Sequence, residues 1–211
     1  MYVPVHFEEA RTEVLHDTMR RIRFASLVTM TNEGPVASHV PMLLDPNPAP
    51  YGTLSGHLAR ANTQRKDTAA ASAALAIFLG PDAYISPSLY PTKKANSKVV
   101  PTWNYLAVHA TGPIKWFEDG ESLLKLVTAL TQREEGARQR PWAVSDAPAD
   151  YLQGMLRAIV GFEIPIAKLE GKWKMSQNRP AEDRAGVTSS IAAEGDRDAA
   201  EVGRIVAERG Q

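Results

Sequence analysis

Hydrophobic and polar positions change period several times along this chain, and each change marks an expected element. Over residues 7–22, apolar Val14, Leu15, Met19 and Ile22 recur at helical spacing, with acids early and "RRIR" late, as the helix dipole favours. The following "FASLVTMTNEGPVASHVPMLLD" holds two β-rich runs around Asn32-Glu33-Gly34, which predicts a hairpin with Gly34 near its turn. "DPNPAPYG" (45–52) reads as a Pro-rich loop, residues 51–56 as a strand, and a short helix is expected to start near Ala61. Buried-strand candidates follow at 71–81, bounded by Gly80-Pro81, and at 83–90, then a polar loop at 91–98. Residues 99–117 read as one long strand with a break near Gly112-Pro113.

The period then shifts to helical. Residues 118–135 and 147–159 are amphipathic helices, and 160–180 returns to strand, with Pro165 suggesting an edge or a bulge. The Ala- and charge-rich end, 181–211, is expected to be helical, with Asp196 an N-cap. Strands and helices do not alternate regularly, so a doubly wound parallel sheet is not expected. The order favours a mainly β fold with peripheral helices, an antiparallel barrel or sandwich. Residues 1–180 are read as one domain and 181–211 as a helical extension packing on it.

Composition narrows the chemistry. The 211 residues carry 24 Lys plus Arg against 24 Asp plus Glu, so no global field draws the chain to nucleic acid or an anionic membrane. With no cysteine, disulfides, thiolate metal sites and a Cys nucleophile are excluded. No apolar run approaches the ~20 residues that span a bilayer, and no signal peptide opens the chain, so a cytoplasmic protein off the membrane is expected. The nucleotide loops GxGxxG and GxxxxGK[ST], the HExxH spacing and the GxSxG elbow are absent, so no catalytic residue or metal is assigned.

Three stretches carry candidate chemistry. "SGHLARANTQRK" places His57, Arg60, Asn62 and Gln64 after a strand, where free N–H groups at a helix start could hold a phosphate; the plain alternative is a solvated helix start. "VPTWNY" alternates Trp103 and Tyr105 with Asn104, which suits a flat polar ring, although core packing of both aromatics is the commoner arrangement. "KWKMSQNRP" offers Lys174, Gln177, Asn178 and Arg179 as donors to an acceptor-rich ligand, or simply a basic edge strand. With Lys93, Lys94 and Lys98 it is also the best local candidate for contact with DNA.

Taken in order, "MYVPVHFEE", "FASLVT", "SHVPMLLD", "GHLARANTQ", "GPDAYISPSLY", "VPTWNYLAVHATG", "IVGFEIPI", "LEGKWKMSQNRP" and "DRAGV" resemble the PaiB family, from Met1 to about Val187. Members are FMN-binding split-barrel proteins also described as negative transcriptional regulators. The resemblance implies an FMN-binding split β-barrel and a homodimer with FMN at the subunit interface. Carried onto this chain, Arg60, Ala61 and Asn62 would lie on the phosphate side, with His57 and Gln64 beside them. Ser38, His39 and Val40 would run along the isoalloxazine; Trp103, Asn104 and Tyr105 would line the cleft; and Lys174, Gln177, Asn178 and Arg179 would approach the cofactor. Thr63 departs from the Pro expected there. The implied roles are a flavin-dependent redox protein or a flavin-linked regulator, the alternative being a DNA- or protein-binding regulator in which FMN is absent or structural. A haem on His39, His57 or His109 is a further, weaker alternative.

Overall fold

The structure, a computed structural model, describes residues 1–68, 72–191 and 196–209. Its elements begin with β1 (Glu8–Glu9), α1 (Thr12–Ile22), β2 (Phe24–Thr31), β3 (Gly34–Pro41), β4 (Leu43–Asp45), β5 (Thr53–Ala59), α2 (Gln64–Asp67) and β6 (Ala73–Ile85). They continue with α3 (Lys93–Asn96), β7 (Thr102–Pro113), β8 (Lys115–Phe117), α4 (Gly120–Glu135), α5 (Ala149–Arg157), β9 (Ile159–Pro165), β10 (Lys168–Lys174), α6 (Ala181–Ile191) and α7 (Arg197–Arg209). Contacts gather the chain into two units. One comprises Thr12–Phe78 and His109–Leu169, here the middle unit; the other comprises Met1–Arg11, Leu79–Val108 and Glu170–Gln211, the terminal unit.

In the middle unit, β3, β2 and the first half of β6 are neighbours in one sheet, and β4-β5-β9-β8 form a second. The hairpin forms because β2 alternates strictly: Ala25, Leu27, Thr29 and Thr31 are buried while Phe24 and Met30 are exposed. Thr31 pairs with Gly34, so Asn32 and Glu33 alone make the turn. Gly34 sits at φ +122°, which an L side chain rarely adopts, and the Thr31 hydroxyl donates to its carbonyl at 2.8 Å. Helix α1 buries Leu15 and Met19, and its His16 Nε2 lies 3.0 Å from the Tyr51 carbonyl. Asp119 caps α4 by accepting from the Ser122 N–H at 2.8 Å, and Leu123, Leu126 and Leu130 face inward.

In the terminal unit, β1, β10, β7 and the second half of β6 follow one another in the sheet. The helices α6 and α7 close this part of the chain, with the Asp196 carboxylate accepting from the Asp198 N–H at 2.9 Å as an N-cap should. The remaining parts of that helical expectation, 192–195 and 210–211, lie outside the described residues, as does residue 71 of the strand expected from 71.

Several boundaries differ from the pattern-based reading. The helix expected over 7–22 begins only at Thr12, because Glu8 and Glu9 pair with Lys172 and Gly171 as a short strand. The strands expected on either side of Gly80-Pro81 are one strand, β6. Its inward face changes phase there, from Ala74, Ala76 and Phe78 to Ala83 and Ile85, because Pro81 has no N–H for the ladder. The single strand expected over 160–180 is two. Pro165 ends β9, which lies between β5 and β8 rather than at an edge, so the proline costs no ladder bond within the strand.

Candidate functional site

The expected helix start after β5 is a single turn, α2, beginning at Gln64 rather than near Ala61. Four residues sum too few peptide dipoles to polarise an anion site, so this segment acts through its side chains. Asn62 organises it. Its Oδ1 accepts from the Gln64 N–H at 3.0 Å and its Nδ2 donates to Ser38 Oγ on β3 at 2.9 Å. Gln64, 1% exposed, donates Nε2 to the Leu27 carbonyl at 3.1 Å, Thr29 Oγ1 at 3.0 Å and the Val36 carbonyl at 3.3 Å. These three acceptors fix the amide's orientation and leave its buried Oε1 without a partner. Replacing Gln64 by alanine is expected to cost about 2 kcal/mol of stability, since two carbonyls and a hydroxyl lose a buried donor; urea unfolding reads this directly.

Next to Ser38, His39 projects from the opposite face of β3 and is exposed. Its Nδ1 lies 2.9 Å from Ser26 Oγ, its register partner on β2. This face of the sheet is apolar around that pair: Phe24 and Met30 are more than half exposed, and Val28 faces Ala37. Val40, by contrast, is buried opposite Ala25, so it can present only its backbone.

Arg60 has a different job from the one its sequence context suggests. Nε donates to the Arg157 carbonyl at 2.6 Å, Nη2 to the Ile159 carbonyl at 3.1 Å and Nη1 to Glu118 Oε2 at 2.6 Å. It therefore closes the C-terminal end of α5 and fixes the start of β9, and an anion could use it only by displacing those acceptors. Arg65 pairs with the other Glu118 oxygen. The Arg60 hydrogen bond, with the charges of Arg60 and Arg65, holds the Glu118 carboxyl below the usual range. Ala61 follows Arg60 in the turn before α2. His57 lies mid-strand opposite Gly161, and burial pushes its imidazole down, so it is neutral at pH 7.

The remaining candidates lie in the terminal unit. Trp103 is 54% exposed and meets Tyr84 edge-to-face at 5.9 Å, so it is not the core residue that its aromatic character suggests. Tyr105 carries the Lys172 ammonium 5.2 Å from its ring centre. Asn104, 1% exposed, exchanges hydrogen bonds with Ser176 at 2.9 and 3.3 Å. Lys174 Nζ donates to Thr102 Oγ1 at 2.6 Å and to the Trp103 carbonyl. Burial and the neighbouring Lys172 charge hold it below the usual lysine range. Gln177 is spent on its own turn, accepting from the Met175 N–H at 2.7 Å and donating to the Trp173 carbonyl at 2.6 Å. Arg179 lies over the Tyr90 ring at 4.3 Å, and Asn178 lines the same small cleft. Sequence reasoning missed Ser26, Tyr90, Thr102 and Ser176. Register against His39 would have found the first, and i, i+2 spacing from Asn104 would have found Thr102.

The two sheets, their strand order and the helices after β8 define a split-barrel fold of the flavin-binding class. The chain belongs to the PaiB family of FMN-binding proteins: the family model described as "Putative FMN-binding domain" matches residues 1–168. FMN is thus its cofactor. The chain is 34% identical to an uncharacterized protein of Emericella nidulans, covering 100% of this chain and 98% of that one. It is 30% identical to the Protease synthase and sporulation protein PAI 2 of Bacillus subtilis, covering 99% and 98%. Among solved structures, the Flavocytochrome Anf3 of Azotobacter vinelandii superposes with a TM-score of 0.57 at 13% identity, covering 82% of this chain and 72% of that one. A FAD and heme binding protein of Mycobacterium smegmatis superposes at 0.56 and 14% identity, covering 79% and 73%.

The residues present fit FMN. The middle unit sets the Ser26 hydroxyl and the His39 imidazole on an apolar sheet face, and the Asn62 carboxamide with Ser38 on the reverse face of β3, with Lys66 on the same segment as Asn62. That donor set matches the chemistry of a ligand with a flat apolar ring, a polyol chain and an anionic end. Among the described residues, no helix is long and apolar enough to cross a membrane.

Proposed function

We propose that this protein is a homodimeric flavin-dependent redox protein in which the β2–β3 face carries the flavin ring. The observation that carries the reading is that face itself. Its exposed apolar residues surround one ordered polar pair, Ser26–His39, on a three-stranded surface. An isoalloxazine has two broad apolar faces that such a surface can cover on one side, and a second copy of the chain would cover what the ring leaves bare. FMN, when bound, supplies the electron-transfer chemistry. The chain's own residues position it. Ser26 holds His39 by Nδ1, which leaves Nε2 to exchange a proton or a hydrogen bond at the ring's edge. Asn62 ties the 60–66 segment, which carries Lys66, to Ser38 on the reverse face of β3, where that segment would meet the anionic end.

The experiment is an FMN titration of the flavin-free protein, read by absorbance and by sedimentation, followed by anaerobic reduction with a nicotinamide donor. His39→Ala is expected to keep the fold and weaken FMN binding about tenfold. Loaded protein should accept electrons faster than free FMN. A rate no higher than that of free FMN, with DNA binding that falls steeply with salt, would replace the redox reading by the regulator reading. A species sedimenting as a monomer when loaded would remove the homodimer.

A further inference from the structure

We propose that a cleft wholly within the terminal unit, beside β7 and the turn after β10, is an oxyanion site that takes a phosphoryl group on Arg179, Lys174 and Lys98. The cleft has a volume of about 210 Å³. That is below the ~300 Å³ at which pockets for drug-sized ligands begin. It suits a tetrahedral anion better than a tricyclic ring. Among the described residues three cations line it, Lys98, Lys174 and Arg179, and no carboxylate does.

Arg179 and Lys174 are the two that the surrounding residues prepare. Arg179 Cζ lies 4.3 Å over the ring of Tyr90, which is 2% exposed, so an aromatic face backs the guanidinium. Its fork donates to no protein acceptor among the described residues, and a planar fork is the geometry that phosphate oxygens accept in pairs. Lys174 spends two of its three donors on neutral acceptors, the Thr102 hydroxyl and the Trp103 carbonyl, which aim it without cancelling its charge. Burial first, and the Lys172 charge after it, lower its basicity, and a bound anion would offset both.

The wall is rigid for a reason that packing alone does not require. Ser176 occupies the left-handed region at φ +62°, unusual for a residue other than glycine. The structure holds it there with the buried Asn104 pair, with the Arg179 N–H on the Ser176 carbonyl at 2.9 Å, and with the Gln177 clamp on Met175 and Trp173. Strain kept by several independent bonds is characteristic of ligand-holding turns. Here it sets Asn178 and Arg179 at the cleft.

The test is calorimetric titration of the flavin-free, full-length protein with inorganic phosphate in chloride buffer. Saturable binding is expected, lowered at least tenfold by Arg179→Met and by Lys174→Met, and lowered less by Arg179→Lys, which keeps the charge but loses the fork. Far-UV circular dichroism and the unfolding midpoint confirm that each variant is folded; if Lys174→Met is not, Arg179→Met and Arg179→Lys decide the matter. Heats equal to those of added chloride, or phosphate binding unchanged in folded Arg179→Met, would overturn the site. Riboflavin and FMN then identify the source of the phosphoryl group. If it is the FMN phosphate, Arg179→Met weakens FMN but not riboflavin, and phosphate competes with FMN. If a second phosphorylated ligand uses the cleft, phosphate binds the FMN-loaded protein unchanged. The phosphate titration itself does not depend on flavin binding, so its failure and the failure of the redox reading are separate results.

Discussion

Replacing Glu9 by glutamine is expected to remove about 3 kcal/mol of stability at pH 7, and most of that loss should vanish by pH 3. Glu9 is 4% exposed. Its carboxylate takes Arg11 in a fork, with Nε at 2.9 Å and Nη2 at 2.7 Å, accepts the Arg11 N–H at 3.0 Å, and pairs with Arg209 at the end of α7. Arg209 in turn lies over Trp173 at 4.8 Å. Burial alone would raise the Glu9 carboxyl. The hydrogen bonds from Arg11 and Arg209 outweigh it and bring the group from an ordinary 4.5 down to about 2. A carboxyl depressed in the folded state contributes fully above its unfolded value. That contribution is therefore complete above about pH 4.5 and is lost as pH falls from there towards 2. Urea unfolding of both proteins at pH 7, 4 and 3 should show the gap closing as the wild type protonates. A gap that stays constant over that range would mean that packing, not charge, ties α7 to the N-terminal strand.

The parts of this fold that local sequence rules govern were legible, and the parts that depend on distant partners were not. The β2–β3 hairpin follows from strict alternation around a two-residue turn with Gly34 at positive φ. Helix α4 follows from Asp119 and three inward leucines. Arg60 is the opposite case. Its residue type and setting, "LARAN", suggest an anion ligand, but its acceptors are Glu118, Arg157 and Ile159, separated from it by 58, 97 and 99 residues. Nothing local announces that the guanidinium is already occupied. Gln64 reads locally as a further donor to a phosphate for the same reason, because the carbonyls it serves belong to β2 and β3. Gln177 was readable in principle, since both its partners lie within four residues. The donor-rich character of "KWKMSQNRP" was visible, and the structure divides it: Gln177 builds the turn, while Lys174, Asn178 and Arg179 face the cleft. The PaiB motifs fixed the cofactor from sequence, because a family resemblance integrates long-range contacts that single-chain periodicity cannot see.

Asp183→Ala is expected to cost a further ~3 kcal/mol and to loosen the loop that carries Tyr90 and Lys98. Asp183 is fully buried at the start of α6. One oxygen accepts the Thr92 N–H at 3.1 Å, and both accept the Thr92 hydroxyl at 2.9 Å. Alanine would strand a backbone donor and a hydroxyl in the interior at once, which is dearer than losing the bonds themselves. The contact is close on the other side of the helix turn as well: a Cβ on Gly186 would come within 2.2 Å of the Leu89 carbonyl, so α6 lies directly on the residues preceding Thr92. Asparagine at 183 keeps one acceptor oxygen and lets the threonine hydroxyl accept from the new amide, so its cost should be about half that of alanine. Hydrogen exchange gives the sharper measurement. Amides of Leu89, Lys93 and Lys94, which donate to Ser86, Tyr90 and Pro91, should lose protection in Asp183→Ala while the β2–β3 ladder keeps its own. Uniform loss of protection in both places would show that Asp183 supports global stability. Loss confined to the loop would show that it holds Tyr90, and with it Arg179, in the posture from which the guanidinium can meet an anion.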